Sequence, residues 1–188
     1  ERTSAYITPE NKKLTAYHEA GHAVCCLYTP GAHPIHKATV MPRGRALGMV
    51  WQLPKGDQTS ITMKEMLAKM DVCMGGRVAE EMIFGKDNVT SGASSDLQQA
   101  TNIARGMVMS YGMSDRVGKT QFDPDRLHLV APETRQAIDE EINRLLSQSY
   151  ERAQKLLKKH SRDLEVVAKG LLEHETLSGE DVEALLNG

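Results

Sequence analysis

The sequence predicts a mostly α-helical α+β domain. Helices surround one small β-sheet or hairpin, and a C-terminal helical bundle closes the chain. Three observations carry this reading. Apolar residues recur at steps of three and four in successive segments. The stretch from about residue 35 to 53 alternates instead. From residue 133 onward, amphipathic helical patterns follow one another. A chain of 188 residues is long enough to bury a sizeable core. It divides into a core part, 1–132, and a C-terminal helical part of the same domain, 133–188.

The first helix begins at Thr8-Pro9-Glu10, an N-cap followed by a proline in the first helical position and an early acid. Leu14, Tyr17, Gly21, Val24 and Tyr28 form its apolar stripe, and Thr29-Pro30-Gly31 stops it. Gly21 costs about 1 kcal/mol relative to alanine in a helix, so close approach of another element is expected there. Ile35 to Met41 reads as a strand, Pro42-Arg43-Gly44-Arg45 as a turn, and Ala46 to Leu53 as a second strand ended by Pro54-Lys55-Gly56-Asp57. Gly48 marks a bulge or a close backbone approach.

Thr62-x-x-Glu65 reads as a capping box opening a helix that ends at Gly85. Met63, Met66, Leu67, Met70, Val72, Met74, Val78, Met82 and Ile83 line it, the methionines as core filler. Gly75-Gly76 marks a break, a kink or tight helix packing. Ser95-x-x-Gln98 reads as a second capping box, for a helix to about Tyr111-Gly112. The segment from Ser114 to Pro132 lacks periodicity and reads as a loop. Helices are then expected at about 133–159, 161–174 and 179–187. The basic run Lys155 to His160 reads as a solvated helix face.

Composition excludes several classes. Charged residues are 26% and the formal net charge is −2, so no nucleic-acid partner is expected. No apolar run approaches 18 residues, and no signal peptide is visible. Cys25, Cys26 and Cys73 are too few for a disulfide framework and read as small packing residues; zinc ligation by Cys25 is the lesser reading. The chain begins with Glu1-Arg2-Thr3, and we read it as a soluble piece of a longer protein.

The most informative feature lies in the first helix: His18-Glu19-Ala20-Gly21-His22, an H-E-x-x-H motif. A helix turns about 100° per residue, so positions i and i+4 share a face. His18 and His22 can therefore each aim an imidazole nitrogen at one metal ion. They flank the apolar stripe, so a half-buried site is expected. Zinc held by two histidines and one further ligand keeps an open position for water, and an adjacent carboxylate, Glu19, can take that water's proton. The pattern points to a zinc peptidase. For the third ligand, spacing leaves Glu80, Glu81 and Asp96 open. Glu80 and Glu81 are adjacent acids on the next helix. Asp96 would lie in the first turn of a helix, where the helix dipole favours a carboxylate. His33 and His36, flanking Pro34, are weaker candidates.

Four segments together resemble one family. They are His18 to His22, Met41-Pro42-Arg43-Gly44, Met74-Gly75-Gly76-Arg77-Val78-Ala79-Glu80-Glu81, and Thr90-Ser91-Gly92-Ala93-Ser94-Ser95-Asp96-Leu97; Gly112-Met113-Ser114 also fits. In this order they are similar to the peptidase domain of the FtsH family, the membrane-bound, ATP-dependent AAA zinc proteases, and the likeness runs from about Lys12 to Leu186. The resemblance implies one zinc per chain, held by His18, His22 and Asp96, with Glu19 as general base and Glu80 and Glu81 in supporting roles. Residues 1–132 then form the catalytic core.

The resemblance further implies unfolded or membrane proteins as substrates and a homo-hexamer in the full-length protein. ATP would act only through an ATPase module outside this chain, and the membrane anchor would lie outside it too. Ala38 to Gly44 and Glu175-Thr176-Leu177 most resemble the mitochondrial i-AAA subtype, whose peptidase domain faces the intermembrane space. Plastid and bacterial inner-membrane members are the alternatives.

Gly112 to Thr120 looks like a phosphate-binding loop but has five residues between its glycines where the pattern needs four, and it follows a helix rather than a strand. ATP binding there is not expected. Two other functions fit the motif alone: a stand-alone soluble zinc peptidase, and a structural zinc module. Glu19 argues against the second, because a structural site has no use for a base and closes its fourth position with protein. A peptide substrate is expected to add as a strand along Leu47 to Trp51.

Overall fold

The structure, a computed structural model, describes residues 7–41, 49–52 (backbone) and 60–188. Its elements are α1 (Pro9–Tyr28), β1 (Ile35–Thr39), β2 (Met49–Gln52), α2 (Met63–Phe84), α3 (Ser94–Met109), α4 (Pro132–Lys159), α5 (Ser161–His174), β3 (Thr176–Ser178) and α6 (Gly179–Asn187). Short 3-10 turns lie at Lys86–Asn88, Ser91–Ala93 and Pro124–Leu129. The mostly helical expectation holds, with a small antiparallel sheet. Among the described residues, no helix is long and apolar enough to cross a membrane.

Helix α1 starts as its sequence dictates. The Thr8 hydroxyl accepts the Asn11 amide at 3.2 Å, and Pro9 occupies the first turn, where its missing N–H costs nothing. The helix then runs through the middle of the molecule, packed on α2, α5, α4 and β1. Every residue from Ala16 to Cys26 is buried. The half-buried site expected from a one-sided stripe is therefore corrected: His18, Glu19 and His22 are 9%, 5% and 7% exposed. Small residues make this possible. Ala16, Ala20 and Ala23 are fully buried, and they let neighbouring elements close in from several sides.

Gly21 and Gly75 mark where α1 and α2 touch. A Cβ on Gly21 would stand 2.2 Å from the Gly75 carbonyl oxygen, and one on Gly75 would stand 2.6 Å from that of Gly21. Of the three meanings open for Gly75-Gly76, tight packing is the one realised, since α2 runs unbroken through both. Cys25 lies at this crossing, fully buried, as packing rather than as a ligand.

The sheet order is β2-β1-β3, with both pairings antiparallel. The expected hairpin is thus present, and β3, which the sequence reading passed over, completes it from the far end of the chain. Three residues are too few to show alternation. The register shifts between Ile35 and Lys37, which puts the irregularity in β1. Gly48, the two expected turns at Pro42–Arg45 and Pro54–Asp57, and the ends of the expected second strand lie outside the described residues. Ser178 and Asp181 form a reciprocal capping box that ends β3 and starts α6.

One apolar cluster gathers α1, α2, α5, the sheet and α6 around Val24, Val78, Leu164, Leu171, Leu177 and Val182. A second joins α2, α3 and α4 around Met70, Met107, Val108 and Ile138. Met70 and Met74 are core filler as expected, but Met63 and Met82 are exposed. Helix α3 does not begin with a Ser95 cap. The 3-10 turn at Ser91–Ala93 runs straight into it, so Ser95 is already inside the helix and Thr90 supplies the side-chain cap of the preceding turn. Lys155, Lys158 and Lys159 form a solvated face, while Leu157 between them is buried.

Candidate metal centre

Helix α1 presents His18 and His22 on one side, and the first turn of α3 brings Asp96 to them. His18 Nε2 and His22 Nε2 lie 3.0 Å apart. Asp96 Oδ2 stands 3.0 Å from the first and 3.2 Å from the second. Among the described residues, these three form the group of side chains placed to hold a metal ion.

The groups behind the rings decide their protonation. His22 Nδ1 faces the Val72 carbonyl oxygen at 2.6 Å. A carbonyl only accepts, so Nδ1 carries the proton and donates it. His18 Nδ1 faces Glu80 Oε2 at 2.6 Å and donates likewise. In the neutral rings both Nε2 atoms are then lone pairs. Two lone pairs and a carboxylate oxygen converge, and three acceptors this close repel unless a positive charge sits among them. Tetrahedral zinc, with bonds of about 2.0–2.1 Å, spaces its ligand atoms about 3.3 Å apart, close to the separations found. Nitrogen and carboxylate donors suit zinc, and the carboxylate and carbonyl behind the rings are the usual supports of such ligands.

The local field points the same way. Burial acts to lower the His18 pKa, but hydrogen bonds to Asp96 and then Glu80 outweigh it and push it up to about 10. His22 is raised as well, its burial outweighed chiefly by Asp96. Burial acts to raise the Asp96 carboxyl, yet the two histidines hold it well below the usual carboxylate range. The pocket thus favours cationic charge at the rings. Asp96, whose side chain is 21% exposed, is the most open of the three.

Glu19 is one step round the helix from His18. No hydrogen bond ties up its carboxylate among the described residues. Burial raises its pKa, opposed by His22 and His18. Glu80 and Glu81, left open as third ligands by spacing, do other things. Glu80 is 1% exposed and backs His18, and Thr90 bonds its second oxygen. Glu81 accepts from the Tyr150 hydroxyl. His33 faces Glu65 at 3.4 Å, and His36 is exposed on β1. The Val72 carbonyl was invisible to a reading of side-chain types. Thr90 stood inside a quoted motif, but nothing in the one-dimensional spacing tied it to Glu80.

Gly112 to Thr120 forms turns without a helix behind them, with Gly112 and Gly118 at φ 61° and 93°. The Ser114 hydroxyl donates to buried Glu141 at 3.0 Å, which pins the segment to α4. It is a structural loop.

A mostly helical fold with an H-E-x-x-H helix and a convergent His-His-Asp donor set defines a zinc metallopeptidase domain. Residues 5–185 match the model of peptidase family M41, and the chain belongs to that family. It is 52% identical over 186 residues to the ATP-dependent zinc metalloprotease FTSH 11, chloroplastic/mitochondrial, of Arabidopsis thaliana, covering 99% of this chain and 23% of that protein. It is 48% identical over 188 residues to the mitochondrial inner membrane i-AAA protease supercomplex subunit YME1 of Saccharomyces cerevisiae, covering 100% and 25%. It is 47% identical over 199 residues to the ATP-dependent zinc metalloprotease FtsH of Caulobacter vibrioides, covering 100% and 32%. The chain thus spans 23% to 32% of the length of these curated relatives.

Proposed function

We propose that this chain is the zinc-dependent endopeptidase domain of an ATP-dependent, membrane-anchored AAA protease that degrades unfolded or membrane proteins. One zinc per chain would be held by His18, His22 and Asp96. The observation that carries this is the convergence of two imidazole nitrogens and a carboxylate oxygen, each 3.0–3.2 Å from the others, with the buried carboxylate of Glu19 on the helix that carries both histidines. Zinc, when bound, polarises the scissile carbonyl and activates a water at neutral pH. Glu80 and the Val72 carbonyl hold the two imidazoles in one tautomer. Glu19 takes a proton onto its carboxylate and delivers it to the leaving amine nitrogen.

Among the described residues, strand β2 is an edge of the sheet, which supports the reading that an extended substrate adds along the segment Leu47 to Trp51. We assign the catalytic core to 1–132 and treat 133–188 as part of the same domain, because β3 pairs with β1 and α5 packs on α1. A homo-hexameric full-length protein in the mitochondrial inner membrane, with this domain in the intermembrane space, is the setting we favour. Plastid and bacterial inner membranes are its alternatives.

The first test is metal content and cleavage of a casein-type substrate. Alanine at His18, His22 or Asp96 is expected to release most of the zinc. Full zinc in Asp96→Ala, with loss in Glu80→Ala, would reassign the third ligand. Bound zinc without cleavage would favour a structural site. A second test addresses ATP, using a stably folded protein and its unfolded variant. Unfolding a domain takes about 5–15 kcal/mol, which hydrolysis at this site has no means of supplying. The chain alone is expected to cleave only the unfolded form, with no response to ATP. ATP-stimulated degradation by the chain alone would sink the modular reading and return attention to Gly112 to Thr120.

A further inference from the structure

We propose that Thr90 is a positioning residue of the metal centre, tying the carboxylate behind His18 to the turn that delivers Asp96. The inference rests on the zinc reading of His18, His22 and Asp96. It concerns a residue that contacts none of the three directly through any hydrogen bond among the described residues.

Glu80 is 1% exposed, and its two oxygens face opposite tasks. Oε2 accepts the His18 Nδ1 proton at 2.6 Å. Oε1 accepts twice from Thr90: from the hydroxyl at 2.7 Å and from the backbone amide at 3.1 Å. A buried carboxylate is stable as an anion only when its lone pairs are met. Here both oxygens are met, Oε2 by the His18 ring and Oε1 by Thr90. Held at both oxygens, Glu80 accepts the His18 Nδ1 proton from behind and turns Nε2 toward the metal.

The same hydroxyl has a second partner. Its lone pair accepts the Gly92 amide at 3.2 Å, capping the 3-10 turn at Ser91–Ala93. That turn enters α3 directly, and Asp96 is the third residue of α3. One hydroxyl therefore sets the carboxylate behind the first donor and the starting point of the helix that carries the third. The path His18, Glu80, Thr90, turn, Asp96 closes a ring around the donor set. Without the hydroxyl, Glu80 loses an oxygen's partner and is freer to rotate, and the turn leading to Asp96 loses its cap.

The test measures zinc dissociation constants of the 188-residue chain by competition with a chromophoric chelator. Thr90→Val keeps the shape and removes the hydroxyl; Thr90→Ser keeps the hydroxyl. Thr90→Val is expected to bind zinc about tenfold more weakly, the low end for removing an outer support of a ligand. Thr90→Ser is expected to recover most of that loss. If Thr90 acts partly through Glu80, the losses are not fully additive: Thr90→Val in a Glu80→Gln background should weaken zinc by less than it does in the unaltered chain, since only the turn cap is then left to lose. Thermal melting of the metal-free variants separates a simple turn cap from this role. The proposal is overturned if Thr90→Val binds as the unaltered chain does. It is equally overturned if the zinc losses add fully with Glu80→Gln while metal-free stability falls in step. Asp96→Ala is measured alongside. Unchanged zinc binding in that variant would bring down the metal reading itself, whereas zinc loss there with normal binding in Thr90→Val would remove only the role given to Thr90.

Discussion

Glu19→Gln is expected to keep zinc at full stoichiometry and the fold intact, yet to lose peptidase activity by on the order of 10²- to 10⁴-fold, the usual contribution of a positioned general base. The side chain is 5% exposed, so a substitution of the same shape is needed if the packing of α1 is to survive. Glutamine meets that need and cannot take a proton. It also removes a buried charge whose desolvation raises the pKa of the native carboxyl. Metal-free stability should therefore hold or rise slightly. Neither ring depends on Glu19, since His18 and His22 donate to Glu80 and to the Val72 carbonyl. Zinc content by elemental analysis and cleavage of an unfolded substrate are measured on the same preparation. A Glu19→Gln protein that still cleaved near the normal rate would refute the base; one that lost its zinc would mean that Glu19 supports the metal instead.

Residue types exposed some of this site and hid the rest, for physical reasons. His18 and His22 were legible because helical periodicity is local: four residues make one turn, whatever the rest of the chain does. The position of Gly21 also carried its meaning, since a glycine inside a helix asks for a close neighbour, and Gly75 is that neighbour. Asp96 was different. It lies 74 residues beyond His22, and only the packing of α1, α2 and α3 brings the two within 3.2 Å. Spacing alone therefore left it level with Glu80 and Glu81, and only the family resemblance favoured it. The depth of the centre was likewise misread from α1's own stripe. A stripe reports which face a helix prefers to bury, while the burial of α1 comes from α2, α5 and the sheet closing around it. Strand β3 shows the opposite limit: Thr176–Ser178 forms a strand only because β1 is beside it.

Gly76→Ala is expected to lose zinc nearly as completely as removing a donor, with affinity falling on the order of 100-fold or more, the upper end for disturbing a ligand's support. A Cβ at Gly76 would stand 2.5 Å from His18 Cε1 and Nε2 and 2.6 Å from His22 Nε2, so it strikes both donor nitrogens at once. The rings have no easy retreat. Glu80 holds His18 from behind, and the Val72 carbonyl holds His22. Nor can α2 back away as a unit without opening the contact between Gly75 and Gly21. Stability alone is a poor reporter here. Alanine gains about 1 kcal/mol over glycine in a helix, which offsets part of an overpacking cost of about 1–3 kcal/mol. Gly75→Ala is the matched control. Its Cβ would meet the Gly21 carbonyl oxygen at 2.6 Å and Cys25 Sγ at 2.9 Å, away from the donor nitrogens. It should destabilise the metal-free chain at least as much as Gly76→Ala while costing less zinc affinity. Chelator competition and denaturant unfolding of the metal-free proteins read the two effects separately. Zinc binding by Gly76→Ala at the affinity of the unaltered chain would show that the rings can shift while still serving the metal, and the close fit between α2 and the donor set would then have no part in holding it.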